Sequence, residues 1–570
     1  MAKPPLNDFK VKSRDARSVV SFRDEAGQKK SFTVERLRSD LSKIDDILIA
    51  FPTHGSDSLE LYKVEASRRT DVRLIFRELD GRNAVLPEDR QLEFVKLISQ
   101  NVPRRTVSIT YKPGFREDAS AFLMPHYSVG TFREPVRWDT SHDGSFATVK
   151  GNMADFSAGV LEPAAQSPSL TFGILLALAA PLMGYLQAKL KTHVILPEAA
   201  VFHFAGPSST GKTTLVRAAT AVFGDPNAPQ LDYGATNRAI EEQAYERNDL
   251  LFVIDDTEKA AEDDEAGILR RVNNVGQIIP KGVSNGRSNS RQHDLPGLTW
   301  RGAGMSTGPI TTAELAIRAG KLRHGQRVRV FDIPIPPETE NGIFGHRIPA
   351  GGEPNSRALI ERIEATIAAH HGVLFKAWLE ALIETDHSAY LEKAFREFVE
   401  TVASDETGLE QRAAGKFAII YAAGMLAVQL GLVPWKEKWI RSAVKHCYHS
   451  ARSLRDPDYL AVRNGIEQTL HVLRGPKNYV DIAKKGAIWN DERIGIHRGI
   501  SNSRERWVHR ESIIGLSSTP EIGRRVFDEL LRRGVLKKGS NRTSANPFRL
   551  RSEDGSIRKY RLWRVNVKTL

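Results

Sequence analysis

Among 570 residues there is one cysteine, Cys447. No internal disulfide can form, so a reducing, cytoplasmic setting is expected, and Cys447 itself reads as a small buried apolar residue. Long apolar runs are as scarce. The longest, residues 170–186, is interrupted by Gly173, Pro181 and Gly184 and is barely long enough for a bilayer; it reads as a buried helix, and no membrane partner is expected. The first fourteen residues scatter charge and hold no apolar core, so they lack a secretory pattern. Internal repeats and low-complexity tracts are missing too, which leaves a chain of ordinary globular domains.

What is present is a balanced composition, 41% hydrophobic and 26% charged, at a length that calls for three or four domains. The boundaries are placed at an N-terminal α+β domain over 1–115, an ATPase core over 116–350, a helical subdomain over 351–475 and a basic C-terminal domain over 476–570. In the first, residues 72–76 and 106–111 read as strands and 88–98 as an amphipathic helix. Residues 122–129 then read as a strand closed by Gly130, and 390–403 and 416–430 as helices.

The chemistry concentrates in the second domain. Residues Gly206, Pro207, Ser208, Ser209, Thr210, Gly211, Lys212 and Thr213 satisfy the phosphate-loop pattern, and Thr214 follows. The glycines let successive amides point at phosphate oxygens, Lys212 adds charge near the β and γ phosphates, and Thr213 is set to ligate Mg²⁺. The apolar run 201–205 before the loop and a helix after it provide the strand–loop–helix context, and the helix aims its positive end at the same anion. A second apolar run, 250–254, ends in Asp255 and Asp256. It has the character of a buried parallel strand, with Asp255 for the metal and Asp256 as the base that orients water. The alternative is an edge strand leading into the acidic stretch around Glu258 and Glu262. ATP and Mg²⁺ are therefore the expected cofactors. Further on, residues 298–307 read as a strand ending in Ser306 and Thr307, one of which would sense the γ-phosphate. Residues 327–333 read as a fourth strand with Arg327 and Arg329 at its start, either for transition-state charge in this subunit's site or a neighbour's, or for surface ion pairs.

These segments carry a family resemblance. Phe122-Leu-Met-Pro, the loop through Thr214, Thr236-Asn237 with Glu241, Ala244 and Asn248-Asp249 form the first part of it. Trp300-Arg301, Ser306-Thr307-Gly308, Gly325-Gln326-Arg327-Val328-Arg329 before Asp332-Ile333-Pro334, and Phe417-Ala418 with Ala422-Ala423-Gly424 complete it. From about Phe122 to the C-terminus the chain resembles the domain-of-unknown-function 927 ATPases, found in helicases of phages and mobile elements. The resemblance implies an α/β P-loop NTPase core of AAA+ type, related to superfamily 3 and minichromosome-maintenance helicases, with a helical lid. It also implies a homo-oligomeric ring, a hexamer, acting on single-stranded or forked DNA. Lys281, Arg287 and Arg291 fall where such rings carry the channel loop, and Arg329 matches the family arginine better than Arg327. Two positions depart from the pattern: Asp256 stands for a glutamate, and Pro309 for the glutamate after Ser-Thr-Gly. An aspartate is one methylene shorter, so water activation is expected to be weaker or shared with Glu258.

The charge of +13 lies mostly at the end: residues 481–570 hold 21 Lys plus Arg against 10 Asp plus Glu, a difference of +11. Ser518-Thr519-Pro520-Glu521 begins a helix that Gly534 ends, and the strands after it complete a winged-helix-like domain. Arg524, Arg525, Lys537 and Lys538 are its candidate phosphate contacts. The competing reading is a lid or packing module with a solvated basic face. For the whole chain the expectation is a ring-forming DNA helicase of a mobile element, and the alternative is an ATP-controlled oligomeric switch or anti-phage defence ATPase that senses nucleic acid without unwinding it.

Overall fold

A computed structural model describes the chain except residues 1–8, 15, 40–44, 57, 117, 191–198, 261–263, 285–296, 320–328, 346–355, 404–407, 456–457, 483–486, 490–492, 499–504, 538–545, 553 and 567–570. The described residues fall into two compact units, one reaching Cys447 and one running on from Tyr448.

The first unit opens with a seven-stranded sheet. Strands Arg17–Arg23, Lys29–Ser39 and Asp46–Pro52 turn Val20, Phe22, Phe32, Val34, Ile47, Ile49 and Phe51 inward. Helices Val72–Gly81 and Gln91–Gln100 close over them with Ile75, Leu79, Phe94, Val95 and Ile98. Residues 72–76, expected as a strand, are the first turns of that helix. The Asp71 carboxylate accepts from Leu74 N at 2.9 Å, and Val72, Ile75, Phe76 and Leu79 recur at helical spacing. Strand Thr106–Thr110 pairs with Lys29–Ser39 and with Val136–Trp138, so this sheet takes a strand from beyond residue 115. The single strand expected over 122–129 is a hairpin, Ala121–Leu123 against Ser128–Gly130, because Pro125 interrupts it.

The apolar stretch at 170–186 forms two helices, Pro168–Ala179 and Leu182–Lys189, bent by 41° where Pro181 intervenes. All twelve residues of the first are buried. No single helix among the described residues is long and apolar enough to cross a membrane.

The centre of the unit is a five-stranded parallel sheet. Its strands are β1 (Val201–Ala205), β2 (Leu231–Asp232), β3 (Leu250–Asp255), β4 (Gly302–Gly308) and β5 (Val330–Pro334), in the spatial order β2-β3-β4-β1-β5. Helices α1 (Lys212–Ala221), α2 (Asn237–Glu246) and α3 (Glu265–Lys281) connect them. On one face Phe172 and Phe417 pack on Phe202 and Phe331 with ring centroids 5.1–5.6 Å apart. On the other, Val201, Phe252 and Ile254 meet Ile240, Ala244, Val272 and Val275 of α2 and α3. Such double coverage is what continuously apolar parallel strands need.

Beyond the sheet the chain is helical: Ser356–Ala369, Val373–Glu384, Ser388–Ala403, Gly408–Gln429, Glu437–Arg455 and Tyr459–Arg474. The division between the two units falls inside the fifth of these. The second unit carries a seven-stranded sheet packed on Tyr459–Arg474 and α4 (Pro520–Arg532). Thr519 caps α4 by accepting from Ile522 N at 3.3 Å, and Gly534, at φ +69°, follows its end. Strands β6 (Asn546–Ser552) and β7 (Ile557–Val565) form the last hairpin.

Candidate nucleotide site

The loop leaves the carboxyl end of β1, where parallel sheets receive their ligands. Gly206 must lack a side chain, because a Cβ there would lie 2.6 Å from Ile335 O. Ser209 and Gly211 take left-handed conformations, φ +63° and +89°, which curl the loop back to α1. Pro207, Ser208, Ser209 and Thr213 are exposed at its mouth. The Thr210 hydroxyl is used inside the loop, donating to Pro207 O at 2.9 Å. Thr214, expected among the nucleotide contacts, is buried and turns its hydroxyl to Glu364 Oε1 at 2.7 Å. That places its side chain on helix Ser356–Ala369 and away from the mouth.

Lys212 is half-buried and donates to Gly206 O at 2.5 Å and Pro207 O at 2.7 Å. Burial pushes its ammonium down, while Asp256, Glu258 and Asp255, in that order, pull it up. Three carboxylates thus face one lysine.

Because β4 lies between β1 and β3, its last residues touch both. The Thr307 hydroxyl donates to Asp255 Oδ1 at 2.5 Å and accepts from Asp256 N at 3.1 Å. Ser306 is committed elsewhere. Its hydroxyl lies 2.8 Å from His203 Nδ1 and 2.6 Å from Tyr233 Oη, while His203 Nε2 lies 3.1 Å from Ile310 O. A carbonyl only accepts, so Nε2 carries the proton; Ser306 then donates to Nδ1 and accepts from Tyr233. Burial pushes the His203 imidazole below its ordinary 6.5, with Asp332 opposing. Of the two sensor candidates, Thr307 is the one that meets the carboxylate strand. The buried His203 and Tyr233 escaped the sequence reading; the only signal was His203, a polar residue inside the apolar run 201–205.

Asp256 sits at φ +58° and caps a short turn, its Oδ1 accepting from Glu258 N at 3.0 Å. A left-handed aspartate in a crevice is stored strain of the kind found at functional sites. Among the described residues no group of three or more His, Cys, Asp or Glu side chains forms a metal cage. A magnesium ion fits such a donor set, since it takes one or two carboxylates and completes its shell with phosphate oxygens and water.

Arg329 is not brought to this site. Its carbonyl accepts from Val201 N at 2.9 Å, at the amino end of β1 and β5. Five residues of strand, about 16 Å, separate it from the loop, so a role in its own subunit's site is excluded on length; Arg327 lies outside the described residues. Lys281 is at the same amino end, where Val283 bridges Thr299 antiparallel and Trp300 N donates to Gly282 O at 3.0 Å, forming a hairpin stem. Arg287 and Arg291 lie outside the described residues.

The stem is anchored by residues that had no assigned role. Arg301 chelates the fully buried Asp249 through Nε at 2.9 Å and Nη2 at 2.7 Å, Asn248 Oδ1 accepts from Arg301 N at 3.0 Å, and Asp249 Oδ2 accepts from Phe115 N at 3.0 Å. This clasp joins the starts of β3 and β4 to the 114–116 strand.

In the second unit Arg524 and Lys537 are exposed, Arg525 pairs with Asp458 at 2.6 Å, and Arg532 and Arg533 both pair with Glu529. Lys538 lies outside the described residues.

The profile of the family described as "Domain of unknown function (DUF927)" matches residues 47–290. It takes in the phosphate loop and Asp255-Asp256, starts well before the Phe122 expected as its beginning, and stops short of Thr307. No curated protein matches the chain. A solved structure described as "SCCmec type IV Cch - active helicase" is similar at 14% identity and TM-score 0.52, covering 100% of this chain and 98% of that one. A second, "The A form apo structure of NrS-1 C terminal region-CTR", reaches 11% identity and TM-score 0.25 over 73% of this chain and 91% of that one, too low a score to carry an argument. The shared feature is the fold, along essentially the whole length of the first of these.

Proposed function

We propose that this protein is a Mg²⁺-dependent ATPase of AAA+, superfamily 3-like type that moves on DNA as a homo-oligomeric ring, a helicase of a mobile element. The observation that carries the reading is the meeting of the loop lysine, the Asp255–Thr307 pair and the strained Asp256 at one end of a parallel sheet. In this reading the amides of residues 206–211 and Lys212 hold the triphosphate, with Thr213 and Asp255 as metal ligands. The metal, when bound, supplies charge neutralisation across the phosphates. Asp256 orients the attacking water, and Thr307 keeps Asp255 and the Asp256 backbone in register. Arg329, on the far rim, serves only a neighbouring subunit's site, which is one reason to read the assembly as a ring. The whole-length likeness to a protein described as an active helicase supports motor over static scaffold.

The test is ATP turnover by the wild type and by Lys212→Ala, with and without single-stranded DNA, followed by strand separation on a forked duplex. DNA-stimulated turnover lost in Lys212→Ala, together with fork opening, is the expected result. Stimulated turnover without opening returns the protein to the ATP-controlled switch, and absence of Mg-ATP binding by folded protein removes both readings.

A further inference from the structure

The last hairpin carries a charge pattern that nothing within the fold explains. In β6 and β7 the register opposes Pro547 to Arg561, Arg549 to Lys559 and Arg551 to Ile557, so these six side chains share one face. All six are exposed, and none is acidic. The opposite face, with Phe548, Leu550, Tyr560 and Leu562, packs on Trp489, Ile496 and Trp507. Further along β7, the cationic face becomes apolar: Trp563 meets Phe527 of α4 at 5.3 Å and Val565 joins the same cluster. The hairpin therefore overhangs the helix, and its overhang presents Arg549, Arg551, Lys559 and Arg561.

None of these four side chains makes an ion pair or hydrogen bond to another described residue. Their neighbours differ: Arg558, on the other face, pairs with Asp554, and Arg564 pairs with Glu505 at 2.8 Å. Arg549 directly opposite Lys559 is a like-charge cross-strand pair, which costs stability in the isolated fold. A polyanion laid along the face removes that cost.

We infer that the exposed face of this hairpin is the principal nucleic-acid contact of the C-terminal unit, gripping the phosphate backbone through Arg549, Arg551, Lys559 and Arg561. It refines the motor reading, on which the nature of the polyanion rests, and shifts the contact from α4, whose Arg525, Arg532 and Arg533 are committed to carboxylates. The overhanging part of the face bears no aromatic side chain, and Trp563 beyond it packs on Phe527, so the overhang does not stack bases. Contact is with phosphate alone and independent of sequence.

The experiment measures binding of the full chain to a short duplex and to a single strand as a function of salt, for the wild type and R549A/R551A/K559A/R561A. Losing four phosphate contacts should flatten the slope of log K against log salt by about 3.6 on duplex or about 2.8 on a single strand; the arm whose slope changes by its full expected amount identifies the bound form. Arg558→Ala should leave the slope unchanged. Arg549→Glu, which sets an opposite charge across from Lys559, should weaken binding while leaving Tm equal or higher. An unchanged slope in the quadruple variant overturns the proposal, as does an equal loss with Arg558→Ala, which would mean net charge alone is read. ATP turnover without DNA separates the two readings: if Lys212→Ala abolishes it while the quadruple variant keeps the wild-type slope, the motor stands and the hairpin contact falls. If the wild type shows no turnover but the slope still flattens, the reverse holds.

Discussion

At the carboxyl end of the core sheet Lys212 faces Asp255, Asp256 and Glu258 at an exposed rim, whereas at the amino end Asp249 is sealed beneath Arg301. The first arrangement sets three carboxylates against one ammonium, an excess of negative charge that a divalent cation would offset. The second is complete in itself, every Asp249 oxygen being matched by a donor. One end is built to receive a ligand, and the other to hold a hairpin root still. Charge alone does not mark a site; charge without its counterpart does.

Breaking the sealed end should have the largest effect. Arg301→Ala leaves Asp249 buried without its cation and should cost about 3–5 kcal/mol in denaturant unfolding, and a loss under about 1 kcal/mol would show that the clasp is not a structural anchor. At the open end, Asp256→Asn should lower ATP turnover about 10²–10⁴-fold with nucleotide binding retained, read by single-turnover kinetics beside calorimetry. If turnover survives there but is lost in Glu258→Gln, the water-orienting group is Glu258. Tyr233→Phe removes one donor from Ser306 while Ser306 still reaches His203, so a cost of only about 1 kcal/mol is expected. The smallest effect concerns pH. His203 is held neutral below its ordinary 6.5, so the unfolded chain takes up a proton that the folded one refuses. Stability from this group is present above 6.5 and is lost as pH falls toward the folded value. His203→Gln should flatten the thermal-stability profile just below that point, and an unchanged profile would sink the assignment.

The strand–loop–helix and the carboxylate strand were legible because each is a continuous apolar run bounded by residues with one chemical use. Residues 201–205 and 250–255 are strands as read. The choice between Ser306 and Thr307 was not legible, since both are polar and adjacent. It depended on β4 lying between β1 and β3, pairings such as Val201 with Gly304 and Leu250 with Gly302 that lie far apart along the chain. Arg329 could have been placed by direction alone: a residue that begins a parallel strand lies at the end opposite a loop that follows one. Residues 72–76 misled because a short run of Val, Leu, Ile and Phe suits either element, and Asp71 decides it only if the cap is read first. In α4 the spacing of Glu529 to Arg532 and Arg533 already signalled pairing within the helix. The hairpin's shared face needed its register, which composition does not encode.

Thr210 O accepts from Ile343 N at 2.9 Å, and Ile343 O accepts from Ser167 Oγ at 2.5 Å. Thr214 and Arg217 of α1 both hold Glu364. The phosphate loop is thus coupled like a trigger to the segment that leads into the helical region. On the proposed reading, a shift of the loop would pass through Thr214, Arg217 and Glu364 to helix Ser356–Ala369, and through Ile343 to Ser167, without crossing the sheet. Glu364→Ala would cut the first connection and leave the second in place.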